Sequence, residues 1–139
     1  MRQAEHEIAI STSGKGLIEF TGDARKLVAG SGIRTGLLTV FCRHTSASLL
    51  IQENADSDVR RDLLVFFKRL VPDGDPLFIH TAEGPDDMPA HVKAALTQSS
   101  LSIPVTGGVM ALGTWQGLYL WEHRTSAHQR RVTVTVIGG

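Results

Sequence analysis

The stretch Arg130–Gly138, RRVTVTVIG, places a valine at every second position from 132 to 136. Strict alternation of this kind predicts a β-strand with one face turned toward a core. The segment Arg34–His44, RTGLLTVFCRH, is rich in β-branched and aromatic residues, and its apolar side chains occur on both parities. That pattern predicts a strand buried on both faces. Both stretches indicate that strands form the core of this protein.

Working outward, the chain offers more short strands separated by glycine-rich turns. Strands are expected over residues 6–12, 17–20, 47–53, 101–105, 109–112 and 117–122. One short helix is expected from about residue 21 to Gly30, a second from an Asn54 cap to Pro72, and a third after Asp86 and Asp87. Strands and helices do not alternate regularly. The prediction is therefore an α+β fold, a mainly antiparallel β-sandwich with two or three helices, in a single domain over residues 1–139.

Composition narrows the functional classes. The 139 residues carry 14 basic and 14 acidic side chains, so no net charge attracts nucleic acid or an anionic membrane surface. No apolar run approaches the roughly 20 residues of a membrane span. The single cysteine, Cys42, cannot form an internal disulfide or a paired-cysteine metal site. These features predict a cytoplasmic protein that binds neither nucleic acid nor membrane.

The segment His80–His91, HTAEGPDDMPAH, concentrates the polar chemistry of the chain. Gly84 and Pro85 predict a turn that groups Glu83, Asp86 and Asp87. Carboxylates and a proline suit the first turn of a helix, so His91 is expected near the start of a helix and close to the loop. A well-capped, solvated turn is one interpretation. Two histidines that bracket three carboxylates favour a metal or catalytic site.

Two further places combine polar residues with apolar strands. His44 ends the strand that contains Leu38 and Val40, and it shares their parity, so either a buried structural histidine or a ligand is expected there. The run GTWQG, residues 113–117, sets Trp115 and Gln116 between glycines, where a ligand can approach the backbone closely.

A metal site is the sharpest hypothesis from these residues. His44, His80 and His91 together match three-nitrogen catalytic zinc with an open fourth position. Asp86, Asp87 or Glu83 is expected to orient the imidazoles or to act as a general base. A phosphate-binding role is expected for arginine, with the candidates Arg124, Arg130 and Arg131.

Long motifs in the chain resemble one protein family. They are HTSASLLIQENADSDVRRDLLVFFKRLVP, EGPDDMPAHVKAAL, GTWQG and the EHR that follows it, and together they extend over nearly the whole chain. They are similar to the YjbQ family, whose members are associated with a secondary thiamine-phosphate synthase activity. The resemblance implies an α+β fold with a β-sandwich core and a homotrimeric assembly. It also implies a pocket lined by the histidines at 44, 80 and 91, with Glu83, Asp86, Asp87, Trp115, Gln116, Glu122 and Arg124 nearby.

Three functions are compatible with these residues. The first is a transferase that joins an aminopyrimidine pyrophosphate to a thiazole phosphate, with a divalent metal, zinc or magnesium, at the pocket histidines. Its expected catalytic residues are Glu83, Asp86, Asp87, Gln116 and Arg124, and its expected partner is a phosphorylated small molecule. The second is a metal-dependent hydrolase of an unidentified substrate. The third is a trimer that binds a metal or small ligand without catalysis.

Overall fold

The computed structural model describes residues 1–139 and contains eight strands and three helices, in agreement with the predicted α+β class. In chain order these elements are β1 (Arg2–Ser11), β2 (Gly16–Glu19), α1 (Thr21–Ser31), β3 (Thr35–Cys42), β4 (Ala47–Glu53), α2 (Ser57–Leu70), α3 (Asp87–Leu96), β5 (Ser100–Thr106), β6 (Val109–Met110), β7 (Gln116–Glu122) and β8 (Gln129–Gly138).

Five strands form one antiparallel sheet in the order β1-β8-β3-β5-β6. The alternation of β8 is confirmed, because Val132, Val134 and Val136 are fully buried. The expectation that β3 is buried on both faces is wrong. Leu37 and Phe41 point away from the core and are 40% and 49% exposed, because no other part of the chain covers the outer face of this sheet.

Three strands form the second sheet, in the order β2-β7-β4. Alternate residues of β7 point to opposite faces. Leu118 and Leu120 enter a cluster of 20 buried residues drawn from both sheets and from α1, which is the sandwich core. Trp121 lies on the outer face, where its ring packs edge-on against Phe67 of α2 with ring centroids 4.7 Å apart.

The helices follow the expected positions with one change at a cap. Helix α1 ends at Gly32, whose φ of 70° is a left-handed conformation that glycine adopts without strain. Helix α2 is capped by Asp56, which accepts a hydrogen bond from the Asp58 backbone N–H, and not by Asn54. The Asn54 amide instead donates to Glu19 and ties the start of this segment to β2.

The apolar stripe of α2 is only partly packed. No residue of this helix is buried, and Phe66 and Leu70 are largely exposed. The helix rests on the three-stranded sheet mainly through Phe67. None of the three helices combines the length and apolar character needed to cross a membrane.

Candidate metal centre

The loop before α3 brings a histidine and a carboxylate to the start of the helix. Gly84 has a φ of 103°, which lets the chain turn into the helix. Asp87 is the first helical residue, and His91 follows one turn later on the same face. His80 lies before the turn and reaches back to the same carboxylate. The prediction that Asp86 and Asp87 open this helix is confirmed.

His80, Asp87 and His91 form a compact group of possible ligands. The Nε2 atom of His80 lies 2.8 Å from Asp87 Oδ2, and the Nε2 atom of His91 lies 3.1 Å from the same oxygen. One donor atom from each of the three residues lies within 4.8 Å of the others. Asp87 is only 2% exposed at its side chain, whereas the two imidazoles are 46% and 31% exposed, so the group opens toward solvent on the histidine side.

The hydrogen bonds of His91 fix which nitrogen faces the carboxylate. Its Nδ1 lies 2.8 Å from the backbone carbonyl of Thr45. A carbonyl only accepts, so Nδ1 carries the hydrogen and donates it. The neutral imidazole then presents the lone pair of Nε2 to Asp87 Oδ2, which is repulsive unless a proton or a cation lies between them. A metal-bound histidine typically donates its other N–H to a carbonyl or carboxylate in this way.

The spacing of the three ligand atoms suits a metal ion. Ligands at about 2.0–2.1 Å from zinc lie roughly 3.3 Å from one another in a tetrahedron. The two histidine nitrogens lie 2.8 and 3.1 Å from Asp87 Oδ2, and all three atoms lie within 4.8 Å of one another. Small rotations of these side chains would therefore bring the three atoms to the spacing of zinc ligands. Two imidazoles and one carboxylate leave a fourth position free, which is the donor set of several catalytic zinc sites. The residues present therefore fit a divalent metal.

A network of charges holds the carboxylates in place. Arg124 donates from Nε to Asp86 Oδ2 at 2.9 Å, from one terminal nitrogen to Asp87 Oδ1 at 2.8 Å and from the other to the Glu83 carbonyl at 3.0 Å. Thr125 donates to Asp86 through its N–H and hydroxyl. Each aspartate therefore has a fixed orientation, and Asp87 keeps Oδ2 directed at the histidines.

These contacts control the protonation of both aspartates. Burial alone would raise the pKa of Asp86, but the hydrogen bonds from Arg124 and Thr125 outweigh burial and hold that pKa well below its usual range. Burial also acts to raise the pKa of Asp87. The hydrogen bond with His80 and the charges of His91 and Arg124 reverse the effect and lower it. Asp86 and Asp87 are therefore both carboxylates at neutral pH.

The predicted third histidine is not in this group, and a carboxylate takes its place. The Nε2 atom of His44 accepts a hydrogen bond of 2.7 Å from the backbone N–H of Arg131, near the start of β8. His44 is not among the residues whose donor atoms meet. Burial and the nearby charge of Arg130 lower the pKa of His44 and favour this neutral, accepting imidazole. The convergence of His44 with His80 and His91 is therefore corrected to His80, Asp87 and His91.

The arginines expected to bind phosphate have partners inside the protein. Arg124 uses three nitrogens on the aspartate network. Arg130 is buried and donates to both carboxylate oxygens of Glu122 and to Ser46. Arg131 is paired with Glu7 on β1. All three arginines therefore have partners within the chain; those of Arg124 and Arg131 lie far away in the sequence, whereas Glu122 is eight positions from Arg130.

Gln116 does not join the metal-ligand group of this chain. It begins β7, whereas Arg124 lies just beyond the other end of that strand, and seven residues of strand span roughly 20 Å. The Gln116 amide oxygen accepts from the Gly113 N–H and closes the GTWQG turn, beside an exposed Trp115. Glu83 is exposed, and only its backbone carbonyl contacts the network.

Two polar groups outside the predicted set are deeply buried. His123 is 1% exposed; its Nε2 shares a hydrogen bond with the Ser48 hydroxyl, and its Nδ1 has no partner. Burial lowers the pKa of His123 to about 3, so it is neutral. Lys93 of α3 is 4% exposed. In the sequence Lys93 has the appearance of an ordinary solvated helix residue, and only the packing of α3 shows otherwise.

Comparison with known proteins confirms the family suggested by the sequence motifs. The family model described as UPF0047 protein YjbQ-like matches residues 6–139. A UPF0047 protein of Synechocystis is 53% identical over 99% of this chain and 93% of its own length. The YjbQ protein of Salmonella typhimurium is 38% identical over 96% of this chain and 97% of its own length.

Solved structures support the same assignment. An uncharacterized conserved protein of the YjbQ/UPF0047 family from Clostridium acetobutylicum superimposes with a TM-score of 0.88 at 38% identity, covering 95% of this chain and 99% of that one. A protein of unknown function from Sulfolobus solfataricus shares the fold, with a TM-score of 0.85 at 23% identity and 99% of both chains covered. Sequence and structure agree that this chain belongs to the YjbQ-like UPF0047 family.

Proposed function

We propose that this protein is a metal-dependent enzyme that acts on a phosphorylated small molecule, with a divalent cation held by His80, Asp87 and His91. The observation that carries the proposal is the arrangement of His91. Its Nδ1–H donates to the Thr45 carbonyl, so its Nε2 is directed at Asp87 Oδ2 across 3.1 Å. Either a proton on Nε2 or a bound cation must lie between these two atoms, and a cation that replaces the proton would be bound by both.

The ligand types favour zinc over magnesium. Magnesium prefers oxygen ligands in an octahedron, whereas zinc accepts imidazole nitrogen readily. Two of the three ligands here are imidazoles. The exposed side of the group leaves room for a substrate oxygen or a water molecule next to the ligands.

Arg124, Asp87 and the two histidines have different roles at this site. Arg124 fixes Asp86 and Asp87 with three of its five N–H groups. Asp87 gives the site negative charge from a buried position, and the two imidazoles form its open face. A bound divalent cation would supply Lewis acidity, neutralising charge that develops on phosphate oxygens.

The finer form of this proposal is the thiamine-phosphate synthase reaction implied by the family resemblance. In that reaction an aminopyrimidine pyrophosphate is joined to a thiazole phosphate and pyrophosphate leaves. The chemistry requires stabilisation of the departing pyrophosphate, which is a charge-neutralisation task suited to this donor set. Hydrolysis of a single phosphorylated substrate is the alternative, favoured by the solvent-exposed face of the cluster.

Metal analysis tests the site itself. We expect the purified protein to retain about one zinc ion per chain, and His91→Ala and Asp87→Asn to lose it. His6→Ala is the matched control, because His6 is exposed on β1 and outside the cluster. Retention of zinc by both cluster variants, or its absence from the parent protein even after reconstitution with zinc, would overturn the metal site.

Product analysis tests the reaction. Release of pyrophosphate only when both phosphorylated substrates are present supports the synthase form. Release of phosphate from one substrate in water supports the hydrolase form. Zinc binding without turnover of any phosphorylated substrate tested would refute the enzymatic proposal and leave a metal-binding protein.

A further inference from the structure

A second polar cavity lies on the other side of α3 from the metal ligands. It has a volume of about 390 Å³ and is lined by residues of α2, α3 and the outer face of β7. Cavities of roughly 300–1,000 Å³ are the usual size of small-molecule sites. Lys93, which lines it, follows His91 by two positions, which turns it about 200° around the helix axis. The cavity is therefore separate from the metal ligands, although both depend on α3.

Its charged wall has an excess of ammonium groups. Lys93 is almost fully buried and makes no ion pair, and Lys15 and Lys68 line the same cavity. The two carboxylates in the cavity wall already have partners, Asp73 with Lys15 and Glu122 with Arg130, so no carboxylate is left for Lys93. Burying an ammonium without a counterion is costly, and an anion from solution would remove that cost.

An unpaired imidazole completes the polar side of the cavity. The ring of His123 lines it, and this residue is buried with Nε2 hydrogen-bonded to Ser48. Its Nδ1 has no hydrogen-bond partner in the protein. Buried polar atoms in native structures nearly always have a partner, so an orphan atom next to a cavity points to a missing ligand or water.

The opposite wall is aromatic and apolar. Trp121 and Phe67 line the same cavity, with their rings packed edge to face. The Trp121 ring also lies 5.3 Å from the His123 ring. An apolar, flat group would pack against this wall while a charged group reaches the lysines.

We propose that this cavity, which we call the lysine pocket, binds a small organic phosphate, with the phosphate group at Lys15 and Lys93 and an aromatic ring against Trp121 and Phe67. Lys15 keeps two N–H groups beside its ion pair with Asp73, and together with the three N–H groups of Lys93 these match a phosphate dianion better than a carboxylate with a single charge. The volume of about 390 Å³ suits a small molecule. The inference does not depend on the metal cluster, and it holds whether or not that cluster is catalytic.

Calorimetric titration with phenyl phosphate tests the pocket. A chelator in the buffer removes metal ions from the histidine cluster, so phenyl phosphate cannot bind to a metal ion there. We expect a saturable one-to-one complex with the parent protein, and a loss of affinity of at least about tenfold in Lys93→Met and in Lys15→Met. Lys26→Met is the matched control, because Lys26 is an exposed lysine of α1 outside the pocket, and its affinity should be unchanged.

Two further probes separate the parts of the proposal. Inorganic phosphate should bind more weakly than phenyl phosphate, and phenol should bind more weakly still. No binding of phenyl phosphate at millimolar concentration, or equal affinity in Lys93→Met, Lys15→Met and the parent, would overturn the pocket. Equal affinity for phenyl phosphate and inorganic phosphate would overturn the aromatic subsite. Because Lys15 is only partly buried and lies in a turn, its variant tests the charge even where Lys93→Met fails to fold.

Discussion

Replacing Arg124 with lysine separates the charge of this residue from its shape. The guanidinium makes three hydrogen bonds from three different nitrogens, to Asp86, Asp87 and the Glu83 carbonyl, at 2.8–3.0 Å. A lysine ammonium is one centre on a different stem and cannot reach all three acceptors at once. We expect it to keep one of these bonds and to lose two.

The size of the effect follows from those two bonds. A hydrogen bond to a charged group contributes about 1.5–3 kcal/mol, and the retained positive charge with entering water offsets part of the loss. We therefore expect Arg124→Lys to lower the free energy of unfolding by about 2–3 kcal/mol. Because Asp87 loses a fixing contact, zinc affinity should fall by about 10- to 100-fold, which is the usual effect of removing an outer partner of a metal ligand.

Urea denaturation of the metal-free protein, followed by circular dichroism, measures the first quantity, and competition with a chromogenic chelator measures the second. Arg61→Lys is the matched control, because Arg61 pairs with Asp62 on the surface and both side chains are about 70% exposed. Its loss should stay below about 0.5 kcal/mol. If Arg124→Lys lowers the free energy of unfolding by less than about 1 kcal/mol and leaves zinc affinity unchanged, the role assigned to the Arg124 guanidinium is refuted.

Three other predictions concern the stability and the assembly of the protein. Burial alone would raise the pKa of Glu122, but hydrogen bonds from Arg130 and Thr12 outweigh burial and lower it. The ionised Glu122 therefore contributes its full stabilisation above about pH 4.3, and this contribution is lost as the pH falls through the depressed pKa of the folded state. Urea midpoints measured between about pH 5 and about pH 3 should fall more steeply for the parent than for Glu122→Gln. We propose, from the family resemblance, that the protein forms a homotrimer through the outer face of the five-stranded sheet, where Phe41 is exposed and Leu37 pairs with Ile137. Phe41→Glu should then give a smaller species than the parent in light scattering, and a parent that scatters as a monomer would contradict the proposal. A side chain at Gly36 would collide with the Ile137 carbonyl of β8, so Gly36→Ala should lower the free energy of unfolding by about 1–3 kcal/mol in thermal melts, and an unchanged melting temperature would contradict the close approach.

The strands and helices were predictable wherever local pattern determined them. The alternation of valines in β8 and the span Ala47–Glu53 appear in the structure as expected, because period-two patterns record which face meets the core. The exposure of one face of β3 was not predictable in the same way. Its sequence is apolar on both parities, but a single chain covers only one face, so Leu37 and Phe41 are exposed.

The candidate site was predictable in part for a similar reason. His80, Asp87 and His91 are near one another in the sequence, and the helix brings Asp87 and His91 onto one face. His44 and the arginines depend on contacts between residues far apart, such as the bond from the Arg131 N–H to His44. Lys93 and His123 gave no local signal, because their burial results from how α2 and α3 pack over the outer face of β7.

The hydrogen bond from His91 to Thr45 is made to a backbone carbonyl, and this has a consequence for genetic tests of the site. Every amino acid at position 45 supplies the same carbonyl. A saturation library there should therefore look tolerant wherever the turn between β3 and β4 is preserved, even though the contact sets the orientation of a proposed ligand. Deleting or inserting one residue in that turn should instead abolish zinc retention while every ligand side chain remains present. Part of this centre is thus encoded in loop length, where substitution scanning does not detect it.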